Sequence, residues 1–203
     1  MLKTYIKLGI PMLLTCIIAS ALLGGVYAIT KDPILRQDEE ARNRSLREVL
    51  PKATTFEDIA KDKANKATLA KALAAPGDNG LFRFAFRGKD ADGQDVGWGI
   101  LVAARGYGGY MEMAVGLDRT GKVVGVKIIS NKETPGLGTK ATANPDFIHR
   151  FYSLDAAKGA DGAATVDTIQ GATKSSRGIK HGVQAAMDVY AKVLMSLEGG
   201  SGK

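Results

Sequence analysis

The chain has 203 residues, of which 45% are hydrophobic and 24% charged, and it carries a formal net charge of +7. This balance is typical of a globular protein and excludes a disordered chain, while the single cysteine, Cys16, excludes an internal disulfide and an iron–sulfur cluster held by this chain alone. With only two histidines and no clustering of basic with aromatic residues, we expect neither a metal centre nor a nucleic-acid partner, and any redox chemistry requires an organic cofactor.

Residues 8–30 form an uninterrupted, mainly apolar stretch without any acidic or basic side chain. At a rise of about 1.5 Å per residue, a helix over this stretch is long enough to cross the hydrocarbon core of a bilayer. Lys3 and Lys7 precede it and residues of both signs follow it, so the positive-inside rule predicts a cytoplasmic N-terminus and an extracytoplasmic remainder. We therefore assign residues 1–30 to an N-terminal tip and a single transmembrane anchor.

An alternative interpretation of this stretch is a cleaved signal peptide that ends at Val26-Tyr27-Ala28. The apolar run is longer than the core of an ordinary signal peptide. A retained anchor is therefore favoured over a cleaved signal.

Residues 31–77 are predicted to form a helical stalk between the membrane and a folded domain. Pro33 precedes a charged stretch, 34–50, in which apolar residues recur at helical spacing until Pro51 ends it. A second helix is predicted over 56–73 and ends before a Pro-Gly pair. Both helices are polar on most faces, which is typical of a solvated spacer.

Residues 78–203 are predicted to form an α+β domain, a small antiparallel sheet flanked by helices. Aromatic and β-branched residues predict four strands over 81–86, 96–103, 111–117 and 123–129. Asp118 to Gly121 is predicted to be the hairpin turn between the last two strands, because glycine accepts the positive φ that such turns require.

The segment 132–138, Lys-Glu-Thr-Pro-Gly-Leu-Gly, follows the last predicted strand. Pro135-Gly136 predicts a type II turn, since proline presets φ at the second position and glycine takes a positive φ at the third. Gly138 removes a further side chain, so the backbone can approach a planar ligand closely, beside the hydrogen-bonding groups of Glu133 and Thr134. The alternative is a tight turn that only connects two elements.

Two helices are predicted in the C-terminal part of the chain. Residues 145–154 follow an asparagine cap and carry aromatic residues on one side. Apolar residues at helical spacing predict a long helix over 179–197 that packs on the sheet. Ser175 or Ser176 is expected to be its N-cap, and Gly199-Gly200 is expected to end it.

The segment 167–173, Asp-Thr-Ile-Gln-Gly-Ala-Thr, directly precedes that long helix. Gly171 and Ala172 keep the backbone accessible, and Thr173 offers a hydroxyl where the first amides of a helix attract negative charge. Lys174 and Arg177 add positive charge at the same point, so the pattern favours a bound phosphate group. The alternative is an ordinary capped helix.

Residues 167–173 and the following Ser175-Ser176-Arg177 resemble the flavinylation motif of the FMN-binding domain found in membrane flavoproteins. Together with the segment 132–138, the glycine-rich residues 106–109 and the anchor, this makes nearly the whole chain similar to the G-subunit family of Rnf (Rsx) ion-translocating electron transport complexes. The C subunit of the sodium-translocating NADH:quinone reductase shares the flavin–threonine motif but is usually a longer chain. Two positions depart from the family pattern: Gln170, where serine or threonine is usual, and Asn131, where histidine is frequent.

The resemblance implies a membrane-anchored electron-transfer subunit that carries FMN, joined covalently through its phosphate to Thr173 by a separate flavin transferase. It implies that Asp167 guides that transferase, although capping of a local turn is an equally good interpretation. It also implies a place in the bacterial inner membrane with the domain on the periplasmic side, beside the membrane and iron–sulfur subunits of a ferredoxin:NAD oxidoreductase, and no catalytic residue in this chain. The residues expected to contact the cofactor are Gly171, Ala172, Lys174, Ser175, Ser176, Arg177, Glu133, Thr134, Gly136, Leu137 and Gly138.

Two other function classes stay open on the residues alone. An anchored module could bind an anionic ligand, such as a sugar phosphate or a nucleotide, at the same loops without covalent chemistry. A purely structural assembly protein would bind no ligand.

Overall fold

A computed structural model describes residues 2–61 and 80–198 of the chain. The chain divides into two units, Met1–Arg42 and Asn43–Lys203. Helix α1, Leu2–Val49, begins in the first unit and ends in the second. The helix predicted over 34–50 is confirmed as far as Val49, but it does not begin after Pro33, because α1 continues through this proline. The stretches on both sides favour a helix, and the one hydrogen bond that a proline removes does not outweigh them.

The large apolar side chains of α1 in the first unit are exposed. They include Met12, Leu13, Leu22, Leu23 and Ile29. An exposed apolar surface of this length suits contact with lipid acyl chains. By its length and composition, α1 is the one helix in the described part of the chain that could cross a membrane.

The second unit is built on a five-stranded antiparallel sheet. Its strands follow one another in space as they do along the chain: β1, Thr55–Asp58; β2, Gly80–Lys89; β3, Asp95–Arg105; β4, Tyr110–Asp118; and β5, Val123–Ser130. The four strands expected from the sequence are confirmed, and the α+β class with them. The short connections from β2 to β5 favour the pairing of sequential strands, which gives this part of the meander.

The first strand of the sheet lies where the sequence predicted a helix. Of the helix expected over 56–73, the described residues form β1 and a 3₁₀ turn, Ile59–Lys61, so the prediction is wrong there; residues 62–73 lie outside the described part. Thr55 pairs with Lys89 of β2, and the Lys89 ammonium forms an ion pair with the carboxylate of Glu57 at 2.9 Å. Pairing along the edge of β2 thus overrides the local helical pattern.

Short helices and one long helix cover one face of the sheet. They are α2, Thr139–Thr142; α3, Pro145–His149; 3₁₀ turns at Ala156–Lys158 and Ala160–Thr165; α4, Thr173–Val189; a π-helical turn, Tyr190–Leu194; and α5, Met195–Glu198. Asn144 caps α3 as expected, accepting a hydrogen bond from the amide of Phe147 at 3.1 Å. The expected helix end at Gly199-Gly200 lies outside the described residues.

The main hydrophobic core lies between this face and the helices. This core contains three alternate residues of β3, namely Trp98, Ile100 and Val102. Ile179, Val183 and Met187 present the apolar stripe of α4 to the same core. The packing that the stripe predicted for the long helix is therefore confirmed.

The other face of the sheet holds the end of α1. Leu46 and Val49 are buried there with Phe86, Leu101 and Ala114 in a second apolar cluster. This part of the stretch 34–50 is not the solvated spacer that its polarity suggested. The expectation fails because a few apolar residues on one side of a polar helix are enough for burial once a matching surface is present.

Glycines make that matching surface. A Cβ at Gly116 of β4 or at Gly125 of β5 would collide with the backbone of Val49, and a Cβ at Gly99 of β3 would collide with the Leu46 side chain. Three neighbouring strands thus lack side chains where the helix end approaches. The helix backbone can therefore lie closer to the sheet than ordinary side chains permit.

The turn between β4 and β5 follows the sequence prediction. Gly121 has a φ of +83°, and the Asp118 carboxylate accepts hydrogen bonds from the amides of Thr120 and Lys122 and from the Thr120 hydroxyl. Partial burial raises the pKa of Asp118. These hydrogen bonds and the nearby Lys122 ammonium together lower it by more than burial raises it, so the pKa lies below its ordinary value.

We expect Gly116→Ala to lower the free energy of unfolding by about 1–3 kcal/mol, because the added methyl group forces the end of α1 away from the sheet. Thermal unfolding of the full-length chain in detergent measures the effect. Gly162→Ala is the matched control, since a Cβ there meets only a Leu154 methyl at an ordinary 3.4 Å. Equal stability of the two variants would contradict the close approach of Val49.

We expect Asp118→Asn to destabilise the domain at neutral pH and to lose this effect in acid. A carboxyl group whose pKa is lower in the folded state stabilises the fold above its ordinary pKa, and the contribution disappears as the pH falls through the folded-state value. The difference in melting temperature between the wild type and the variant should therefore be largest near pH 7 and shrink below about pH 4. A constant difference from about pH 7 to about pH 3 would refute the lowered pKa.

Candidate functional site

Three segments that are distant in sequence meet at the end of the sheet where β3 ends and β4 begins. Arg105 of β3 pairs with Tyr110 of β4, so the loop 106–109 joins them at this end. Glu112 of β4 pairs with Ser130 of β5, which brings the segment after β5 to the same end. The start of α4 also lies here, since a Cβ at Gly178 would approach the Arg105 carbonyl oxygen to 2.7 Å.

The side chain of Glu133 connects the three segments. It is buried, with 7% of its surface exposed. Its Oε2 accepts a hydrogen bond from the Ser175 hydroxyl at 2.6 Å, and its Oε1 accepts one from the Gly108 amide at 3.2 Å. One carboxyl group thus joins the loop 106–109, the segment 132–138 and the first turn of α4.

Glycines create the space that this carboxyl group occupies. A Cβ at Gly106 would collide with Oε1 of Glu133, and a Cβ at Gly138 would collide with Oε2. A Cβ at Gly108 would collide with the carbonyl oxygen of Lys132. Gly138, which the sequence pattern assigned to the close approach of a ligand, therefore also makes room for Glu133.

The turn after Glu133 has the predicted geometry. Gly136 has a φ of +76°, and the Thr134 carbonyl accepts hydrogen bonds from the amides of Leu137 at 3.2 Å and Gly138 at 3.1 Å. Thr134, Gly136 and Leu137 are exposed, and Leu137 retains 46% of its accessible surface. The tip of the turn therefore offers solvent both a bare backbone and an apolar side chain.

The two serines after Thr173 are not helix caps. Helix α4 begins at Thr173, and its N-cap is Ala172, so the cap predicted at Ser175 or Ser176 is wrong. Both serines lie in the first turn, buried to 1% and 0% exposure. The Ser176 hydroxyl accepts a hydrogen bond from the Ile169 amide at 3.1 Å, and the Ser175 hydroxyl donates to Glu133. Their hydroxyls bind protein groups, because the first turn presents this side to the core.

Thr173 lies on the opposite, exposed side of the same turn. The first hydrogen bond within α4 runs from the Ser176 amide to the Ala172 carbonyl, so the earlier amides of the turn give this end its positive partial charge. Ala172 has no side-chain oxygen with which to cap them. Exposed Lys174 and Arg177 add two formal positive charges. The arrangement suits a negatively charged group attached to the Thr173 hydroxyl.

The residues around Thr173 in the sequence are mostly exposed. The Lys174 ammonium lies 5.4 Å from the centre of the Tyr107 ring, which is 58% exposed. Gly171 has a φ of +79° in the turn before the helix, with open space where a Cβ would be. Asp167 and Gln170, at the start and middle of this segment, are exposed.

The sequence did not predict the hydrogen bond between Glu133 and Ser175. It also did not predict that the Tyr107 ring lies beside Lys174. Glu133 and Ser175 were each identified as site residues, but as contacts of a ligand rather than of each other. The pairing has no local signal, because 42 residues separate the two positions. Among the described residues, no group of three or more His, Cys, Asp or Glu side chains could hold a metal ion.

Comparison with known proteins adds to this geometry. Residues 106–188 match the family model of the FMN-binding domain, and residues 1–49 match that of the RnfG N-terminal region. The first match begins at the glycine loop beside Glu133 and ends within α4, so it contains all three segments of the site. Together the two matches span well over half of the chain.

Curated relatives give the same result. The chain is 27% identical over 195 residues to the G subunit of the Na⁺-translocating ferredoxin:NAD⁺ oxidoreductase complex of Acetobacterium woodii, covering 93% of this chain and 92% of the relative. It is 25% identical to the G subunit of an ion-translocating oxidoreductase complex of Methanosarcina acetivorans, covering 92% and 94%. The corresponding protein of Aliivibrio fischeri is 33% identical over 144 residues, covering 69% and 64%. The chain therefore belongs to the G-subunit family of Rnf-type ion-translocating oxidoreductase complexes, and it contains an FMN-binding domain.

Proposed function

We propose that this chain is a membrane-anchored flavoprotein subunit that carries FMN on Thr173, through a phosphoester bond, and relays electrons within an Rnf-type ferredoxin:NAD oxidoreductase complex. The observation that carries the proposal is the exposed Thr173 hydroxyl at a positively charged helix start, within the match to the FMN-binding domain. FMN supplies one- and two-electron chemistry that amino-acid side chains lack.

The charges around Thr173 fit a phosphoester. A phosphate group joined to both threonine and flavin keeps one negative charge at neutral pH. The first amides of α4 and the side chains of Lys174 and Arg177 stabilise such a charge, and the 17-residue length of the helix supports its dipole. The open space beside Gly171 leaves room for the group next to the hydroxyl.

The exposed residues near Thr173 are the better candidates for contact with the cofactor. Thr134, Gly136 and Leu137 present backbone and an apolar side chain, and Tyr107 presents an aromatic ring. Such groups suit a planar, partly apolar ligand. Ser175, Ser176 and Glu133 are buried, so in this proposal they support the site from inside rather than contact the phosphate.

Attachment requires an activated donor and a separate enzyme. The Thr173 oxygen forms a bond to the phosphorus of the FMN unit in a flavin dinucleotide, the pyrophosphate bond of the donor breaks, a nucleoside monophosphate leaves, and the hydroxyl proton passes to a base of the transferase. Exposed Asp167, six residues before the acceptor, is accessible to that transferase and is our candidate for its recognition.

The N-terminal helix determines where the flavin domain is located in this proposal. We propose that α1 crosses the bacterial inner membrane once, with Lys3 and Lys7 on the cytoplasmic side and the flavin domain in the periplasm. Attachment to the same membrane as the other membrane and iron–sulfur subunits raises the local concentration of the flavin near its redox partners. The chain then works as one relay in the complex, without a complete active site of its own.

We expect covalent flavin on the wild-type chain and none on Thr173→Ala. The full-length chain is expressed with and without an active flavin transferase, separated on a denaturing gel and examined for flavin fluorescence, and its intact mass is measured. Fluorescence and a mass increase of one FMN less one water should appear only with the transferase. Loss of the acceptor oxygen in Thr173→Ala should abolish both.

Thr168→Ala is the matched control, because this threonine lies in the same segment, five residues before the acceptor, and should be dispensable. The transferase is shown to be active on a second acceptor protein in the same cells. Unlabelled wild-type chain under these conditions would overturn the proposal and would favour a module that binds an anionic ligand without covalent chemistry. A labelled Thr173→Ala chain would place the attachment elsewhere.

A further inference from the structure

We propose that Glu133 is the positioning residue for flavin attachment: its hydrogen bond to Ser175 sets the rotation of the first turn of α4 and so directs the Thr173 hydroxyl outward to the transferase, while its bond to Gly108 holds the neighbouring loop 106–109. The inference rests on the proposed function and adds a role to a residue that the sequence pattern assigned to ligand contact. Glu133 acts through Ser175 and Gly108, and in the structure its carboxyl group faces protein groups on both oxygens.

The burial of this side chain excludes a simple surface role. With 7% of its surface exposed, Glu133 has lost most of its contact with water, and a buried carboxyl group is costly unless hydrogen bonds replace that contact. The Ser175 hydroxyl and the Gly108 amide supply those bonds. Gly106 and Gly138 leave the space for the two carboxyl oxygens. Four residues from three segments are thus arranged around one functional group.

Helix geometry transmits the effect of Glu133 to Thr173. Successive residues of an α-helix are rotated by about 100°, so Thr173 and Ser175 lie about 200° apart, on opposite sides of the turn. Holding the Ser175 hydroxyl inward against Glu133 therefore holds Thr173 outward. The bond between Ser176 and the Ile169 amide fixes the preceding segment from the same inner side.

The second oxygen of Glu133 positions the neighbouring loop. The Gly108 amide donates to Oε1, and Tyr107, one residue earlier, lies beneath the ammonium group of Lys174. The loop 106–109 is thus connected to Glu133 through Gly108 and to Lys174, the residue after Thr173, through Tyr107. A shift of Glu133 would move both the acceptor and the exposed ring beside it.

Substitutions at position 133 separate hydrogen-bond geometry from charge. In Glu133→Gln the amide oxygen can accept from Gly108 while the amide NH₂ donates to the Ser175 oxygen, so both connections are kept. In Glu133→Asp the negative charge is kept, but the side chain is one methylene shorter and cannot reach both partners. Glu133→Ala removes both bonds.

The experiment measures the initial rate of flavin incorporation into the purified full-length chain, in detergent, by a purified transferase with saturating flavin dinucleotide. We expect Glu133→Gln to be labelled within about threefold of the wild-type rate, and Glu133→Asp and Glu133→Ala to be slower by at least about tenfold, since small misplacements of a reacting group cost rates of this order. Ser175→Ala should be slowed as much as Glu133→Ala, and the double variant no more than the slower single one.

A stability control distinguishes positioning from general damage. Val183→Ala removes buried methyl groups from the same helix, more than two turns after Thr173, and lies outside the site. Unfolding temperatures of all variants are measured in the same detergent. Val183→Ala should be destabilised yet labelled at the wild-type rate.

Each other outcome has a defined meaning. Slow labelling of Glu133→Gln, or normal labelling of Glu133→Asp or Ser175→Ala, would overturn the positioning role, and so would slow labelling of Val183→Ala. Because the Gln and Asp variants decide the question, failure of Glu133→Ala to fold does not affect the result. A wild-type chain that takes up no flavin would instead overturn the proposed function itself.

Discussion

The hydrogen bonds of one buried carboxyl group hold the candidate site together. Glu133 lies under the protein surface, where an unpaired polar group would cost more free energy than a single hydrogen bond returns. Its bonds to Ser175 and Gly108 meet this requirement, and they are possible only when the start of α4 and the loop between β3 and β4 lie beside the segment after β5. The need to pair the Glu133 carboxyl group therefore fixes the relative positions of these three segments.

The meander supplies the frame for that constraint. Because β3, β4 and β5 are antiparallel neighbours, the connection from β3 to β4 and the exit from β5 lie at the same end of the sheet. Helix α4 packs its apolar stripe along one face of this sheet, which brings its first turn to that end. The opposite face receives Leu46 and Val49, so the domain uses both faces of the sheet for packing and one end for the site.

The polar residues at the start of α4 face in two directions, some toward the protein interior and some toward solvent. Ser175 and Ser176 face the interior and bind protein groups, whereas Thr173, Lys174 and Arg177 face outward. In the proposed function another enzyme modifies the Thr173 hydroxyl, which therefore has to be accessible, whereas the two serine hydroxyls bind protein groups and are enclosed. Helical rotation places the outward and the inward hydroxyls within four residues, so a short segment can combine an accessible hydroxyl with groups that hold the turn in place.

The sequence by itself determined the features that depend on neighbouring residues. These are the long apolar N-terminal helix, four strands, the turns at Gly121 and Gly136, the cap at Asn144 and the apolar stripe of α4, since composition, spacing and local backbone preferences fix each of them. Motif order along the chain was also enough to indicate the family. The prediction failed where distant contacts compete with local pattern, as in β1, the buried end of α1 and the two inward serines.

Only the tertiary structure decided the contacts of Glu133. The bonds to Gly108 and Ser175 connect residues 25 and 42 positions apart, and no periodicity or propensity encodes such a pairing. Whether a carboxyl group faces a ligand or the interior depends on which segments the sheet brings beside it, and on whether glycines there leave space for its oxygens. That choice is made by packing between elements, which no local pattern specifies.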